Sequence, residues 1–201
     1  QGMIASNEHD FPFQDEGFNQ YAEGVASEAW WPNASAGHLP TGLPISMPML
    51  SRAPAIEVQH NDEVAESAAN FASGGDYGSL VYSRTSVILN TISRVYGEDK
   101  FRRALGVYAR KYRFAHPTPN DMLAVFREEL GAEPADNMRA AFFDRAWVDY
   151  GIGDVVSSER EPLQGVFGDP EKPTTAPVVE TRYHGRVMVR RRGTLVFPVD
   201  I

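Results

Sequence analysis

The spacing of apolar residues changes once along this chain, and that change constrains the fold more than any other feature. From Asp15 to about residue 150, apolar side chains recur three and four apart, the period of one face of an α-helix. After Gly151 they alternate singly, the period of a strand. The first helix is expected at 15–30, with Asp15 as N-cap and Phe18, Tyr21, Ala22, Val25 and Ala29 on one stripe, and Pro32 stops it. Residues 32–56 carry five prolines and read as a long connection with little regular structure, laid on the protein by Leu39, Leu43, Ile45, Met47, Met49 and Leu50. Asn61 or Asp62 is expected to cap a short helix to Phe71. Helices then follow over 77–96, closed by Gly97, from Glu98 or Asp99 until His116 and Pro117 end it, from the Thr118 cap to Leu130, and over 136–149.

Residues 157–178 are rich in Pro, Glu, Ser and Gly and read as a linker. Val187 and Val189, then Leu195, Phe197, Val199 and Ile201, alternate on either side of Gly193, which is a hairpin signal. Strands are expected only beyond about residue 180. The domain division that follows is 1–155 helical, 156–180 linker and 181–201 the start of a β-domain. The chain opens without Met, and its last residues alternate in mid-strand, so the expectation is a piece of a longer protein.

The protein has 201 residues and a formal net charge of −8, with 42% hydrophobic and 23% charged residues. This is a globular composition. The negative balance argues against nucleic acid, which needs a basic face, and against an anionic membrane surface. No stretch approaches the roughly 20 apolar residues of a membrane span. Absence of cysteine removes thiolate nucleophiles, cysteine metal sites and disulfides together.

Several segments carry chemistry when taken in order. Ser6-Asn7-Glu8 precedes Asp15-Glu16-Gly17-Phe18-Asn19-Gln20-Tyr21, with Glu23-Gly24 beyond. Leu80-Val81-Tyr82-Ser83-Arg84 comes later, then VYGEDKFRRALGVYARKYRFAHPTPNDMLAVF over 95–126, FFDRAWVDYGIGDVV over 142–156 and VMVRRRGTLVFPVDI over 187–201. This ordered set resembles the gluzincin zinc aminopeptidases, the aminopeptidase N-like family, over nearly the whole chain.

The resemblance implies a mainly α fold: the helical half of a thermolysin-like metallopeptidase catalytic domain, followed by the first strands of a truncated β-sandwich. It implies hydrolysis of a peptide substrate, next to a free amino terminus. It makes Glu16 the third zinc ligand and Tyr82 the phenol that donates a hydrogen bond to the oxyanion. Such a site needs a ligand carboxylate to complete the metal's protein shell and a neutral donor where negative charge develops. Tyr77 lies five residues before Tyr82 and is also possible in that role; it is taken as a pocket or core residue on the substrate side. Arg84 stands where the family usually has Lys, which keeps the charge but not the geometry.

The sequence departs from the family at one point. The five histidines are His9, His38, His60, His116 and His184, and no His-Glu-x-x-His occurs. By family spacing the two histidine ligands and the general-base Glu would precede Gln1. Zinc is therefore expected in the parent protein and absent from this chain, which should be inactive alone. His9, beside Glu8, reads as a solvent-facing loop residue. Self-association through truncated strand edges is expected. A non-catalytic helical scaffold or interaction module derived from the same family is the alternative function, and an epoxide hydrolase of that family is a third. The roughly thirty residues before Gln1 would discriminate the first two.

Overall fold

The computed structural model describes residues 2–58, 61–160, 169, 171–172 and 182–199. The chain divides into two compact parts, 1–148 with 194–201, and 149–193. The first part is helical. A 3₁₀ turn at Pro12–Gln14 leads into α1 (Glu16–Trp30). A two-residue ladder pairs β1 (Gly37–His38) with β2 (Pro44–Ile45), and α2 (Met47–Glu57) follows. A single turn α3 (Gly74–Tyr77) runs into a π-helical segment at Gly78–Arg84, which continues as α4 (Thr85–Tyr96). Then come α5 (Glu98–Lys111), α6 (Pro119–Leu130) and α7 (Ala132–Phe143).

Local chemistry accounts for the boundaries of the later helices. Gly97 and Gly131 sit at φ 104° and 106°, where a side chain would be strained, and each separates two consecutive helices. Thr118 opens α6 with a reciprocal capping box: its hydroxyl accepts from the Asp121 amide at 3.3 Å, and the Asp121 carboxylate accepts from the Thr118 amide at 2.8 Å. Acids Glu98 and Asp99 in the first turn of α5, and bases Arg110 and Lys111 in its last, complement the helix dipole. The core between the helices is aromatic. Phe13 stacks against Phe142 with centroids 4.8 Å apart, Phe101 against Phe126 at 5.3 Å, and Tyr21 meets Phe101 edge-on at 5.5 Å.

Four expectations are corrected. Asp15 does occupy the N-cap position of α1, but its side chain makes no capping bond: its backbone is already helical at φ −90°, ψ −68°, and its carboxylate accepts from Asn19 Nδ2 at 3.2 Å. The connection over 32–56 contains α2, capped by Ser46 and started by Pro48; Pro54 is accommodated inside it. The short helix expected at 61–71 is absent. There Asn61 donates to Asp76 Oδ1 at 2.7 Å, and Glu66 accepts from the Ser67 amide at 3.0 Å and from Asn70 at 2.8 Å, so short polar side chains compete with helical bonding. The last helix ends at Phe143 and not at 149.

The β-region also differs from expectation. In the second part, β3 (Tyr150–Glu159) pairs antiparallel with β4 (Tyr183–Arg191), so strand structure begins thirty residues earlier than about 180. A bulge sits between Ile152 and Val155, at Gly153 and Asp154. No hairpin forms about Gly193, whose amide donates to Asp149 O at 3.2 Å. Residues 194–199 lie with the helical part. Leu195 and Phe197 are buried there, the Leu195 amide donates to Trp147 O at 3.1 Å, and the Phe197 ring lies 6.0 Å from that of Tyr96. Alternation fixes which face is apolar but not what covers it. The linker expected at 156–180, His60 and the last two residues lie largely or wholly outside the described residues.

One contact holds the first helix in place. A Cβ on Gly17 would lie 2.2 Å from Thr85 Cγ2 and 2.5 Å from Val81 O. Gly17→Ala should therefore lower the urea midpoint strongly, by about 1–3 kcal/mol or more. Gly24 is the control on the same helix: its Cβ would meet only Met47 Cβ, at 3.6 Å. Gly24→Ala should be neutral or stabilising by up to about 1 kcal/mol. Equal losses in chemical denaturation of the two variants would contradict the close approach.

Candidate active site

Glu16 is the first residue of α1, and Tyr82 lies in the π-helical segment that α1 crosses. The missing side chain of Gly17 is what allows the crossing, with helix backbone against the Val81 carbonyl. Residues on either side of such a contact are brought together, and Glu16 is one of them. Its carboxylate faces the Tyr82 hydroxyl closely enough that hydrogen bonding to it and its charge both raise the phenol's pKa.

The π-helical geometry explains why Tyr77 joins the same cluster. On an ordinary α-helix, residues five apart point about 140° away from one another. A turn closed by i→i+5 hydrogen bonds brings them into line, and such turns recur at functional sites. The Tyr77 and Tyr82 rings lie 6.3 Å apart at 69°. Phe71 braces Tyr77 from the other side, edge-on at 5.4 Å.

Negative charge collects at this point. Burial pushes the Tyr82 phenol well above its usual range, and the hydrogen bond and charge of Glu16 push it further. Tyr77 is raised too, by burial and then by the charges of Glu16, Glu8 and Asp15. Glu8 is held above the usual carboxyl range by the charge of Asp15 and a hydrogen bond to it. The result is a half-buried phenol that stays neutral at pH 7 and so keeps its proton to donate, set beside a carboxylate.

Nothing in the sequence pattern placed Glu8 in this cluster, since it lies in a loop with no period, and Asp15 read as a helix cap. Arg84 is turned away from it: its Nη2 donates to Ala146 O at 2.9 Å. His9 is exposed and faces Asp10, with Nδ1 and Oδ1 3.0 Å apart. His116 lies against Ala5 O at 2.7 Å. Among the described residues, no group of three or more His, Asp or Glu side chains is placed to hold a metal ion.

With this geometry described, comparison with known proteins bears on the fold. No protein-family model matches the sequence, and no curated protein matches it. Solved structures do. An M1 zinc metallopeptidase from Deinococcus radiodurans superposes with a TM-score of 0.55 and 15% identity, over 72% of this chain and 30% of that one. A point mutant of an enzyme so described, from the same organism and bound to a Tyr-Ser-Ala substrate, gives a TM-score of 0.54 at the same identity and coverage. A two-domain M1 zinc metallopeptidase bound to L-tryptophan gives 0.55, again at 15%. Over the matched 72%, the fold resembles part of an M1 zinc metallopeptidase. The chain spans less than a third of the length of those structures.

The electrostatic coupling is open to direct test. Glu16→Gln removes the charge that disfavours the phenolate, so the Tyr82 pKa should fall toward the ordinary tyrosine value. Titration of ¹³Cζ-tyrosine resonances, assigned with Tyr82→Phe, reads this. An unchanged Tyr82 pKa would mean that burial alone sets it.

Proposed function

We propose that this chain is the helical half of a thermolysin-like, zinc-dependent peptidase catalytic domain, and that the intact enzyme is an aminopeptidase. The observation that carries the reading is the meeting of Glu16 and Tyr82, from two separate helical segments, in a fold like that of M1 zinc metallopeptidases. In this reading Glu16 is the carboxylate that the chain contributes to a zinc centre. Tyr82 is the catalytic phenol, and Tyr77 lines the substrate pocket. The ribbon β3–β4 belongs to the opening of a β-domain.

The role of Tyr82 follows from its chemistry. Attack on a peptide carbonyl places negative charge on its oxygen. A neutral donor already positioned there stabilises that charge and adds little to substrate binding, because the charge exists only in the transition state. A phenol held neutral by a neighbouring carboxylate suits the task.

In the intact enzyme, Tyr82→Phe should lower kcat by about a hundredfold to a thousandfold, or roughly 3–4 kcal/mol, with KM and zinc content nearly unchanged. Glu16→Ala should lose metal together with activity. Tyr77→Phe should cost much less. Near-normal turnover of Tyr82→Phe, with loss in Tyr77→Phe, would transfer the role to Tyr77.

The 201-residue chain alone should neither retain zinc through dialysis nor cleave an aminoacyl chromogenic substrate, since it offers one carboxylate of the ligand set. Stoichiometric zinc with turnover would refute this. Self-association belongs to the same proposal. The ribbon exposes Ile152, Val155, Val156 and Tyr183, and a two-stranded sheet has two open edges. Light scattering should show the mass rising with concentration, and a constant monomer mass would count against it.

A further inference from the structure

A second concavity lies within the helical part and shares no residue with the Glu16–Tyr82 cluster. It is a cavity of about 200 Å³ between α2, α4, α7 and the returning segment 194–199. Its walls are mostly aliphatic and aromatic, with Val87, Ile88, Leu195 and Phe197 among them. Two guanidinium groups interrupt that apolar lining, Arg84 and Arg52, and no Asp or Glu is among the lining residues.

Arg84 is the informative member. It is only 8% exposed. A guanidinium has five N–H donors, and when buried it is ordinarily paired with a carboxylate, because an unpaired buried charge is strongly disfavoured. Among the described residues its hydrogen-bond partner is a neutral acceptor, Ala146 O, at 2.9 Å, and none of its nitrogens is left both buried and unpartnered. Among the described residues neither Arg84 nor Arg52 has an acidic partner. Burial accordingly lowers the Arg84 pKa, with no neighbouring charge to offset it. Arg52 stands at the exposed rim. The protein has thus placed a guanidinium without an acidic partner, among the described residues, at the wall of a mostly apolar cavity that also carries Thr91 and Asn137. An anion attached to an apolar body would find both a charge partner and an apolar lining there.

We propose that this cavity is a binding site for a small apolar monocarboxylate, with the carboxylate paired to Arg84 and Arg52 and the hydrocarbon body among Val87, Ile88, Leu195 and Phe197. Size sets the class. A cavity of roughly 150 Å³ takes a benzene ring, so this one suits a body somewhat larger, on the scale of a medium-chain fatty acid or an N-blocked apolar amino acid. A dicarboxylate or a sugar acid would leave polar groups facing aliphatic wall, which is unfavourable.

Calorimetric titration of the full chain tests this with defined probes. Octanoate and N-acetyl-leucine carry the same charge on the two kinds of body, and the tighter of them identifies the source. Octanol keeps the tail without the charge, and acetate keeps the charge without the tail. At least one of the two carboxylates should bind saturably at one per chain, with octanol and acetate about tenfold or more weaker. Arg84→Met should abolish binding, and Arg52→Gln, at an exposed position that leaves folding intact, should weaken it several-fold. The ¹³C-carboxyl resonance of bound octanoate should titrate below its free pKa, which a purely apolar hole would not cause. The proposal is overturned if neither carboxylate saturates, if octanol matches octanoate, or if Arg52→Gln leaves the affinity unchanged.

Discussion

The helical part depends on a place where two backbones approach without a side chain between them. Gly17 lies against the Val81 carbonyl and the Thr85 side chain so closely that no Cβ would fit. From that contact follow the path of α1 over the π-helical segment and the position of Glu16 at the Tyr82 hydroxyl. Thr85, fully buried on the other side of the contact, turns its own hydroxyl toward Leu80 O at 3.3 Å. The aromatic core packs beneath, but the glycine determines how near the two layers come. A larger residue there would separate the carboxylate from the phenol as well as loosening the helix.

The π-helical segment is the complementary constraint. Its wider turn is a less stable arrangement than the α-helix that continues from it. What it supplies is alignment of two tyrosines that an α-helix would have splayed. The surroundings support it: Leu80 and Val81 are buried, and Phe71 braces Tyr77. The irregularity falls where the phenols of Tyr77 and Tyr82 feel the charges of nearby carboxylates, Glu16 foremost, and π-helical turns recur at functional sites.

How much of this could be read from residues alone depends on what each signal encodes. The helices from Glu98 to Leu130 were legible because caps, glycines and stripes agree with one another there. α2 was hidden by its prolines, although Pro48 falls in a first turn, where the missing N–H is harmless. The helix that 61–71 failed to form has good apolar spacing but too many Asn, Asp and Ser side chains that bond locally. Strand pairing was the least legible, because alternation in Leu195, Val196 and Phe197 looks the same whether the partner is a strand or a helix face. Glu16, Tyr82 and Tyr77 could be picked out by resemblance. Their convergence could not, since it needs a π turn and a glycine contact that no periodicity announces. Glu8 stood out only within the Ser6-Asn7-Glu8 step, with no role attached to it.

The route of the chain through residues 149–193 has a consequence for how such a protein can vary. The segment leaves the helical part after Val148 and returns at Thr194. Its two ends are clamped together at one carbonyl, Asp149 O, which accepts from the amides of Arg192 and Gly193 at 2.8 and 3.2 Å. An excursion with a closed neck is topologically an insertion. Lengthening, trimming or replacing it changes only what lies beyond the neck, while Trp147 and Leu195 keep their ladder bond. Lineages carrying this helical body are thus free to exchange the ribbon for another appendage, and drift in length should concentrate there.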